Sequence, residues 1–324
     1  MEEVSVIMST YNGHKFLEEQ ISSIQNQKGN GTDFKLQLYI RDDKSNDGTL
    51  DVISNFSNVT IVPNNGKNVG VKASFFELLD IVPDSELIFF SDQDDIWPTD
   101  KVKKFLDVYH DLSEQQKQSP VGIFSDLWVA NSDGISTGKR MSEVIGWAPE
   151  SDYLYLSWSH KITGAAFAIN SAAKNMVRTV DPVMRENINM HDSFIGLLIS
   201  ITGHLIQIDE PLLMYRQHGN NVIGAKKKRS IFLKAKSIFK LATRLYNDDI
   251  NAYKWMQENQ EQFLFNEGAF SYFGNIFISS NEKFLQRFRI WQSMLKYMMS
   301  SRLPFTTFCL YVLKFKPKGK YWEL

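Results

Sequence analysis

The sequence is poor in cysteine and has no long apolar run. Its 324 residues include one cysteine, Cys309, so an intrachain disulfide is excluded and a reducing compartment is expected. No stretch reaches the roughly 18 apolar residues that a membrane-spanning helix needs. The N-terminus starts with acidic residues and leads directly into an apolar segment, so no signal peptide is predicted. These absences favour a cytoplasmic protein that is at most peripheral on the inner face of the cell membrane.

Charge is balanced in total but divided along the chain. The net charge is −1. Residues 1–224 contain 18 Lys and Arg against 30 Asp and Glu, a net −12, whereas residues 225–324 contain 18 against 7, a net +11. The change coincides with the basic run Lys226-Lys227-Lys228-Arg229. We therefore predict a boundary here, between a domain over 1–224 and a basic, mainly helical C-terminal region over 225–324.

The basic region has a helical pattern whose purpose the sequence leaves open. Apolar residues recur at helical spacing at Ile231, Ala235, Ile238, Phe239, Ala242, Leu245 and Tyr246. One interpretation is a helical cap on the first domain, or a contact between copies in a homo-oligomer. The other is a surface that binds anionic lipid, which the clustered charge and the Trp, Phe and Met content favour. Nucleic-acid binding is not expected, because nothing in the acidic part supports it.

Short apolar segments alternate with helical patterns along the first domain. Residues 4–8, 36–40, 59–62 and 87–90 read as strands, and each of the first three precedes a helical stretch. This alternation predicts right-handed βαβ units and a largely parallel sheet. Ligands bind beyond the carboxyl ends of the strands in such sheets. Candidate functional residues should therefore follow the strands.

The most informative of these strand ends carries Asp92-Gln93-Asp94-Asp95. Three carboxylates held this close repel one another and are costly to keep together unless a cation shares them. Carboxylate and water ligands suit Mg²⁺ or Mn²⁺, which commonly bridge protein oxygens to substrate phosphates. A solvated acidic turn is the alternative, and the polar motifs at the other strand ends argue against it.

Taken in order, the motifs resemble those of family 2 glycosyltransferases, and in particular the rhamnosyltransferase-like bacterial branch. They span about residues 4–224 and comprise Ser9-Thr10-Tyr11-Asn12, Asp42-Asp43-x-Ser45-x-Asp47-Gly48-Thr49, Asn68-x-Gly70, Asp92-Gln93-Asp94-Asp95-Ile96-Trp97, Gly164-Ala165-Ala166, His191-Asp192 and Tyr215-Arg216-Gln217-His218. Each motif alone is weak evidence, but the ordered set is specific. The resemblance implies an α/β protein with the GT-A nucleotide-sugar-binding fold, a mainly parallel central sheet and a helical C-terminal region.

The resemblance also implies which residues bind a nucleotide-sugar donor. Tyr11 offers a ring to pack on the pyrimidine, and Asp43, or its neighbour Asp42, accepts the N3–H that uracil and thymine share. Helix capping is the alternative for these two acids. Lys72 could neutralise phosphate, or could simply be solvated. The expected donor set is Ser9, Thr10, Tyr11, Asn12, Asp42, Asp43, Asn68, Gly70, Lys72, Asp92 and Gln93.

The same resemblance assigns the metal ligands and the base. Asp94 is expected to bind Mn²⁺ or Mg²⁺ directly. His218, next to Arg216 and a Gly-Asn turn, could bind the metal or the diphosphate, and a structural histidine is the alternative. Asp192 is expected to deprotonate the acceptor hydroxyl, with His191 orienting it or touching the acceptor. An N-cap of the following helix is the alternative for Asp192. The candidate set is completed by Asp95, Arg216 and Gly164.

The sequence therefore predicts a metal-dependent inverting hexosyltransferase. It would move one sugar, such as rhamnose, from a dTDP- or UDP-linked donor to a growing glycan or lipid-linked acceptor in cell-surface polysaccharide or glycoconjugate synthesis. A non-catalytic sugar-nucleotide-binding or scaffold subunit of a glycan assembly complex is the alternative, against which the intact Asp94 and Asp192 argue. A nucleotidyltransferase is disfavoured, because residues 9–12 replace its usual glycine-rich phosphate loop.

Overall fold

The computed structural model describes residues 1–159, 161–218, 231–279, 283–298 and 307–313. Within these ranges eight strands form one sheet. The strands are β1 Glu2–Thr10, β2 Phe34–Asp42, β3 Val59–Val62, β4 Leu87–Ser91, β5 Val121–Ala130, β6 Ser136–Arg140, β7 Phe167–Ile169 and β8 His204–Arg216. The helices are α1 His14–Gln25, α2 Thr49–Ser54, α3 Val71–Ile81, α4 Lys101–His110, α5 Glu114–Lys117, α6 Met141–Ile145, α7 Tyr153–Leu156, α8 Ser171–Arg178, α9 Pro182–Asn187, α10 His191–Thr202, α11 Ile231–Glu258, α12 Ala269–Ser279 and α13 Phe284–Met298. A 3₁₀ turn covers Gly164–Ala166, and a π-helical turn covers Phe308–Val312.

The sheet is mostly parallel, as the alternation of strands and helices predicts. Its order is β3-β2-β1-β4-β7-β5-β6, with β8 paired to β5. The pairs β1–β2, β1–β4, β2–β3 and β5–β8 are parallel, while β7 runs antiparallel to β4 and β5, and β6 runs antiparallel to β5. Thr10 lies opposite Asp42, and Met8 lies opposite Ser91. The register therefore brings the polar ends of β1, β2 and β4 to one edge.

Both faces of the sheet are covered by helices. Along β1, Val6 and Met8 join one buried apolar cluster with residues of α1 and α4, whereas Ile7 joins the other, with residues of α3 and α10. This alternation follows from the two-residue period of a strand. Each such fully buried aliphatic side chain contributes about 1.5–3 kcal/mol to stability. The two apolar clusters fix the strand ends that carry the polar motifs.

The helices of the C-terminal region share a core with the first domain. Leu245, Trp255 and Phe273 lie in the same buried cluster as Phe194 of α10. The indole N–H of Trp255 also donates to the Thr179 hydroxyl at 2.8 Å. Leu245 belongs to the described part of the apolar stripe. Its burial fits the interpretation that the C-terminal region is a helical cap on the first domain.

Some sequence-based predictions fall outside the part of the chain that the structure describes. These are the boundary at residue 224, the basic run at 226–229 and the side chains of residues 231–239. Among the helices of the described ranges, none is long and apolar enough to cross a bilayer.

Candidate active site

A network of hydrogen bonds joins the polar loops that follow β1 and β2. The Asn12 N–H donates to the Ser45 hydroxyl at 2.8 Å, and the Asn12 side-chain oxygen accepts from the N–H of Asn46 at 3.0 Å. The N–H of Gly13 donates to the Thr49 hydroxyl at 2.9 Å. The serine and threonine of the Asp42–Thr49 motif thus have a structural role, because they fix the turn that carries Tyr11.

Tyr11 has a fixed backbone and an open ring. Its N–H donates to Oε1 of Gln93 at 2.8 Å, and its carbonyl accepts from Nε2 of the same amide at 3.1 Å. A Cβ on Gly13 would lie 2.4 Å from that Oε1, so the glycine is needed for this approach. The Tyr11 side chain is 51% exposed. Gln93 therefore joins the loops after β1 and β4 and leaves the aromatic ring free to stack on a base.

Asp43 is buried and holds the loop that leads into α3. Its Oδ1 accepts from Arg41 at 2.7 Å and from the Val69 N–H at 2.8 Å, and its Oδ2 accepts from the Gly70 N–H at 2.7 Å. The Asn68 amide donates to the Asp43 carbonyl at 2.8 Å. Gly70 has φ +83°, which a glycine adopts without strain. The structure thus brings Asp43, Asn68 and Gly70 together, with one lone pair of Oδ2 left for a further donor.

Asp42 is occupied by its own loop. Its carboxylate accepts from the Thr10 hydroxyl at 3.1 Å and from the N–H and hydroxyl of Ser45. The N-cap of α2 is Gly48 and has no side-chain cap, so the helix-capping alternative for Asp42 and Asp43 is wrong. Ser9 and Thr10 lie at the end of β1, where Thr10 is fully buried.

Lys72 contacts the segment that precedes the expected base. Its ammonium donates to the carbonyls of Glu186 at 2.6 Å and Ile188 at 2.7 Å, and burial lowers its pKa. Its charge is therefore not simply solvated. Instead, it holds the end of α9, four to six residues before Asp192.

Residues from β8 position the acidic cluster from the other side. Nε2 of His218 lies 2.7 Å from Oδ2 of Asp94. The Arg216 side chain donates to the Asp94 carbonyl at 2.7 Å, and its backbone N–H donates to Oδ1 of Asp95 at 3.0 Å. The His218 ring also packs on Phe16 of α1, with ring centroids 4.8 Å apart. The predicted pair Asp94 and His218 is thus assembled, and Arg216 fixes its backbone.

The electrostatics of this cluster fit a cation. Burial, together with the charges of Asp94 and Asp192, raises the pKa of Asp92 to about 7. Burial and the charges of Asp92 and Asp94 raise the pKa of Asp95, whose Oδ2 has no hydrogen-bond partner among the described residues. A divalent ion relieves this repulsion, and oxygen donors suit Mg²⁺ or Mn²⁺. Because the described residues contain no group of three or more His, Cys, Asp or Glu side chains able to hold a metal, substrate oxygens would have to complete the site.

Asp192 lies in the first turn of α10 and is held by backbone. Its Oδ2 accepts from the N–H of Gly164 at 2.7 Å, and its Oδ1 accepts from the N–H of Ser193 at 2.7 Å. The helix is preceded by Met190 at the N-cap, so the N-cap alternative for Asp192 is wrong. Since the charge of Asp192 acts on Asp92, the predicted base and the acidic cluster are neighbours.

His191 is buried beside Asp192 in an aromatic environment. Its ring stacks on Phe75 with centroids 4.2 Å apart and lies 5.5 Å from the ring of Phe90. Neither ring nitrogen has a hydrogen-bond partner among the described residues, and burial lowers the pKa of the imidazole. His191 therefore makes no hydrogen bond to Asp192, and its ring nitrogens are available to a ligand.

Residues 5–141 match the profile of Glycosyl transferase family 2. The first part of the chain is therefore similar to this family. The dTDP-rhamnosyl transferase RfbG of Shigella flexneri is 27% identical over 84% of this chain and 91% of its own length. The Staphylococcus aureus glycosyltransferase TarP is 36% identical over 107 residues, which are 30% of this chain and 29% of TarP. The crystal structure of S. aureus TarS 1-349 has a TM-score of 0.52 at 14% identity and covers 91% of this chain and 80% of that one. The predicted GT-A fold, the rhamnosyltransferase-like resemblance and the enzyme class are confirmed.

Two buried charges near the site carry no signal in the sequence. Lys101, at the start of α4, donates to the carbonyl of Ala165 at 2.7 Å. Asp248 of α11 accepts from the N–H of Asn189 at 2.8 Å, two residues before His191. In the sequence each looks like a surface charge at a helical position, so no local signal marks either of them. Only the contacts across the fold bring them to the site.

Proposed function

We propose that this protein is a family 2 glycosyltransferase, a metal-dependent inverting enzyme that transfers a single sugar from a nucleoside-diphosphate sugar to a growing glycan or lipid-linked acceptor. The observation that carries the proposal is the position of Asp192: its carboxylate is fixed by the N–H of Gly164, whose 3₁₀ turn contacts β4, the strand that leads into the acidic cluster. A base thus faces a cation-binding cluster, which is the arrangement that a single displacement needs.

The chemistry follows from the free lone pairs of Asp192. Oδ1 accepts from both the N–H and the hydroxyl of Ser193, whereas Oδ2 accepts only the Gly164 N–H, which leaves Oδ2 room for one more hydrogen bond. Asp192 takes the proton of the acceptor hydroxyl while the acceptor oxygen forms a bond to the anomeric carbon. The bond between that carbon and the phosphate oxygen breaks, and the nucleoside diphosphate leaves with the electron pair. One displacement on the opposite face inverts the anomeric configuration.

Asp94 and His218 are the residues that would hold Mn²⁺ or Mg²⁺, together with diphosphate oxygens of the donor. A bound divalent ion offsets the negative charge that develops on the leaving diphosphate. Arg216 keeps the Asp94 backbone in place, and its guanidinium is itself held by the Ser132 carbonyl at 2.9 Å and by Glu19. The ligand pair is thus placed before the donor arrives.

The donor is best supported as a pyrimidine nucleotide sugar. The open ring of Tyr11 is available to stack on the base, and Oδ2 of Asp43 has a lone pair for its N3–H. The resemblance to a dTDP-rhamnosyl transferase over 84% of the chain favours dTDP-rhamnose. A UDP-sugar presents the same N3–H and is the second candidate. Synthesis of a cell-surface polysaccharide or glycoconjugate at the cytoplasmic face of the membrane accords with this donor.

A donor screen tests the proposal. The protein is incubated with dTDP-rhamnose, a UDP-hexose and GDP-mannose, each with Mn²⁺, Mg²⁺ or chelator, and the release of nucleoside diphosphate is measured beside thermal stability. A true donor at a hundred times its dissociation constant should stabilise the fold by about 2.7 kcal/mol. Full activity in chelator would refute metal dependence, and a product that retains the anomeric configuration would refute the single displacement.

A further inference from the structure

Lys101 is a buried ammonium behind the active site. Its side chain is fully buried, at 0% exposure, at the first position of α4. Nζ lies 3.7 Å from the centroid of the Trp97 ring and donates to the carbonyl of Ala165 at 2.7 Å. Removing an ammonium from water is costly unless other groups compensate it. The surroundings of Lys101 must therefore supply negative charge.

That charge comes from the acidic cluster. Burial lowers the pKa of Lys101 to about 7, and the charges of Asp95 and Asp92 oppose this effect by favouring the ammonium. In return, Lys101 lowers the pKa values of both acids against the burial that raises them. Oδ2 of Asp95 accepts no hydrogen bond from the described residues. The contact of Lys101 that bears on the site's geometry is its hydrogen bond to Ala165.

The carbonyl that Lys101 holds is one residue away from the group that fixes the base. Gly164 and Ala165 share the 3₁₀ turn Gly164–Ala166, which is closed by a 2.9 Å bond from the Ala166 N–H to the Thr163 carbonyl. In this turn the Ala165 carbonyl accepts from Lys101, while the Gly164 N–H donates to Asp192. Lys101 therefore holds the turn that supports the base, and its charge also acts on the cation-binding acids.

We propose that Lys101 is a positioning residue for glycosyl transfer: its ammonium holds the Gly164–Ala166 turn, and through it Asp192, in place relative to the carboxylates of Asp92 and Asp95. This rests on the proposed function, in which Asp192 is the base. Lys101 lies beneath the site, with its ammonium enclosed by Trp97 and Ala165, so its effect on the reaction passes through other residues.

Two substitutions separate the charge of Lys101 from its hydrogen bond. Lys101→Met keeps the apolar stem and removes the ammonium. Lys101→Gln removes the charge and retains an N–H that can reach toward the Ala165 carbonyl. It is also the variant to use if Lys101→Met fails to fold. Lys101→Arg keeps the positive charge and tests rescue.

Lys174 offers a matched control. Its side chain is also buried, at 1% exposure, and donates to the backbone carbonyl of Val82 at 3.1 Å beside an ion pair with Asp84. No contact of Lys174 involves the acidic cluster or the 3₁₀ turn. Lys174→Met therefore removes a buried, carbonyl-bound ammonium of the same kind at a place with no part in the reaction.

The kinetic test compares these variants with the wild type in the full-length enzyme, with saturating acceptor and kcat corrected for folded fraction. We expect Lys101→Met to lower kcat by tenfold or more, up to about 100-fold, with the donor KM within about twofold, because the base is displaced and donor contacts are not. Lys101→Gln should lower kcat less, because its amide can still donate to the Ala165 carbonyl. Lys101→Arg should recover part of kcat, and Lys174→Met should lower thermal stability alone. A kcat loss no larger than that of Lys174→Met would overturn the proposal.

A crystal structure of Lys101→Met gives a readout that does not depend on turnover. We expect the 2.7 Å contact between the Gly164 N–H and Asp192 to lengthen or break. If this contact and the Gly164–Ala166 turn are unchanged, the positioning role is refuted even in the absence of a known donor. Wild-type enzyme that transfers no sugar would instead count against the proposed function.

Discussion

The backbone N–H of Gly164 donates to Oδ2 of Asp192 at 2.7 Å, across 28 residues of sequence. A Cβ on Gly164 would lie 3.3 Å from Nε2 of His191 and 3.4 Å from that same carboxylate oxygen. These distances are at the tight end of ordinary packing. Gly164 therefore binds the proposed base through its N–H. Because it has no side chain, it also leaves room for the Asp192 carboxylate.

Gly164→Ala should lower kcat with little effect on donor affinity. The added methyl group pushes His191 and Asp192 away from their positions, and a displacement of a catalytic group by about 1 Å can cost up to about 100-fold in rate. Steady-state kinetics measure kcat, donor titration measures donor affinity, and the melting temperature checks that the variant is folded. A variant with wild-type kcat would show that this packing does not position the base.

Asp192→Asn should separate binding from chemistry. The amide oxygen can still accept the Gly164 N–H, but the side chain can no longer take a proton. We expect donor binding near the wild-type value and turnover lower by roughly 10²- to 10⁴-fold, the range for a lost general base. Donor titration followed by thermal shift, beside a transfer assay, tests this. Unchanged turnover would remove Asp192 from the mechanism.

Asp94→Ala should abolish metal-dependent donor binding. The variant lacks the carboxylate that pairs with His218. The divalent ion then loses a protein ligand, and the donor diphosphate loses the ion that links it to the protein. Donor titration with Mn²⁺ and with chelator measures the effect. Asp133→Ala, at an exposed turn, is the matched control and should bind as the wild type does. If the Asp94 variant still binds donor in a chelator-sensitive way, the ligand assignment is wrong.

Asp248→Asn should change how stability depends on pH. Burial raises the pKa of Asp248 to about 8, with Asp192 adding to the shift and the Asn189 N–H, Lys72 and Arg244 opposing it. Its value in the unfolded chain is about 3.9. Between these values the folded state binds the extra proton, so the stability that Asp248 contributes is full below about pH 4 and is lost as pH rises toward 8.

The asparagine keeps an acceptor for the Asn189 N–H and cannot ionise. We therefore expect Asp248→Asn to be the more stable form near pH 8, with its advantage shrinking toward pH 5. Urea unfolding at both pH values gives the two free energies of unfolding. The exposed Asp107, replaced by Asn, is the control and should follow the wild type. Parallel pH curves for the Asp248 variant and wild type would contradict the assignment.

The net +11 of residues 225–324 leads us to expect binding to anionic membrane. Each basic residue near such a surface contributes about 1 kcal/mol, and salt screens the attraction over about 8–10 Å. Sedimentation with anionic vesicles should carry the protein down at low salt and release it at high salt. Binding should weaken on replacement of Lys226, Lys227, Lys228 and Arg229 by Gln. It should persist on the matched replacement of Lys28, Lys35, Lys67 and Lys103.

Protein that stays in the supernatant with strongly anionic vesicles at low salt would leave the helical cap as the whole role of the region. Retention at high salt with release only by detergent would instead indicate apolar insertion.

Local sequence was sufficient for the fold class and for most of the candidate site. The strand segments show alternating or continuous apolar runs, and helical periodicity predicts α1, α3 and α10 close to their observed bounds. Polar residues placed just after parallel strands must meet at one edge of the sheet, so the gathering of Tyr11, Asp43 and Asp94 follows from topology. These are short-range patterns, and a single sequence carries them.

The tertiary structure alone decided which charges support the site. The bond from Lys101 to Ala165 spans 64 residues, and the bond from Asn189 to Asp248 spans 59. A lysine at the start of a helix and an aspartate within one look like ordinary surface residues in the sequence. Their burial depends on how α4 and α11 pack on the sheet, which no local pattern encodes. Burying a charge costs free energy unless other groups compensate it. The groups that compensate Lys101 and Asp248 lie in the site, and so both residues become part of it.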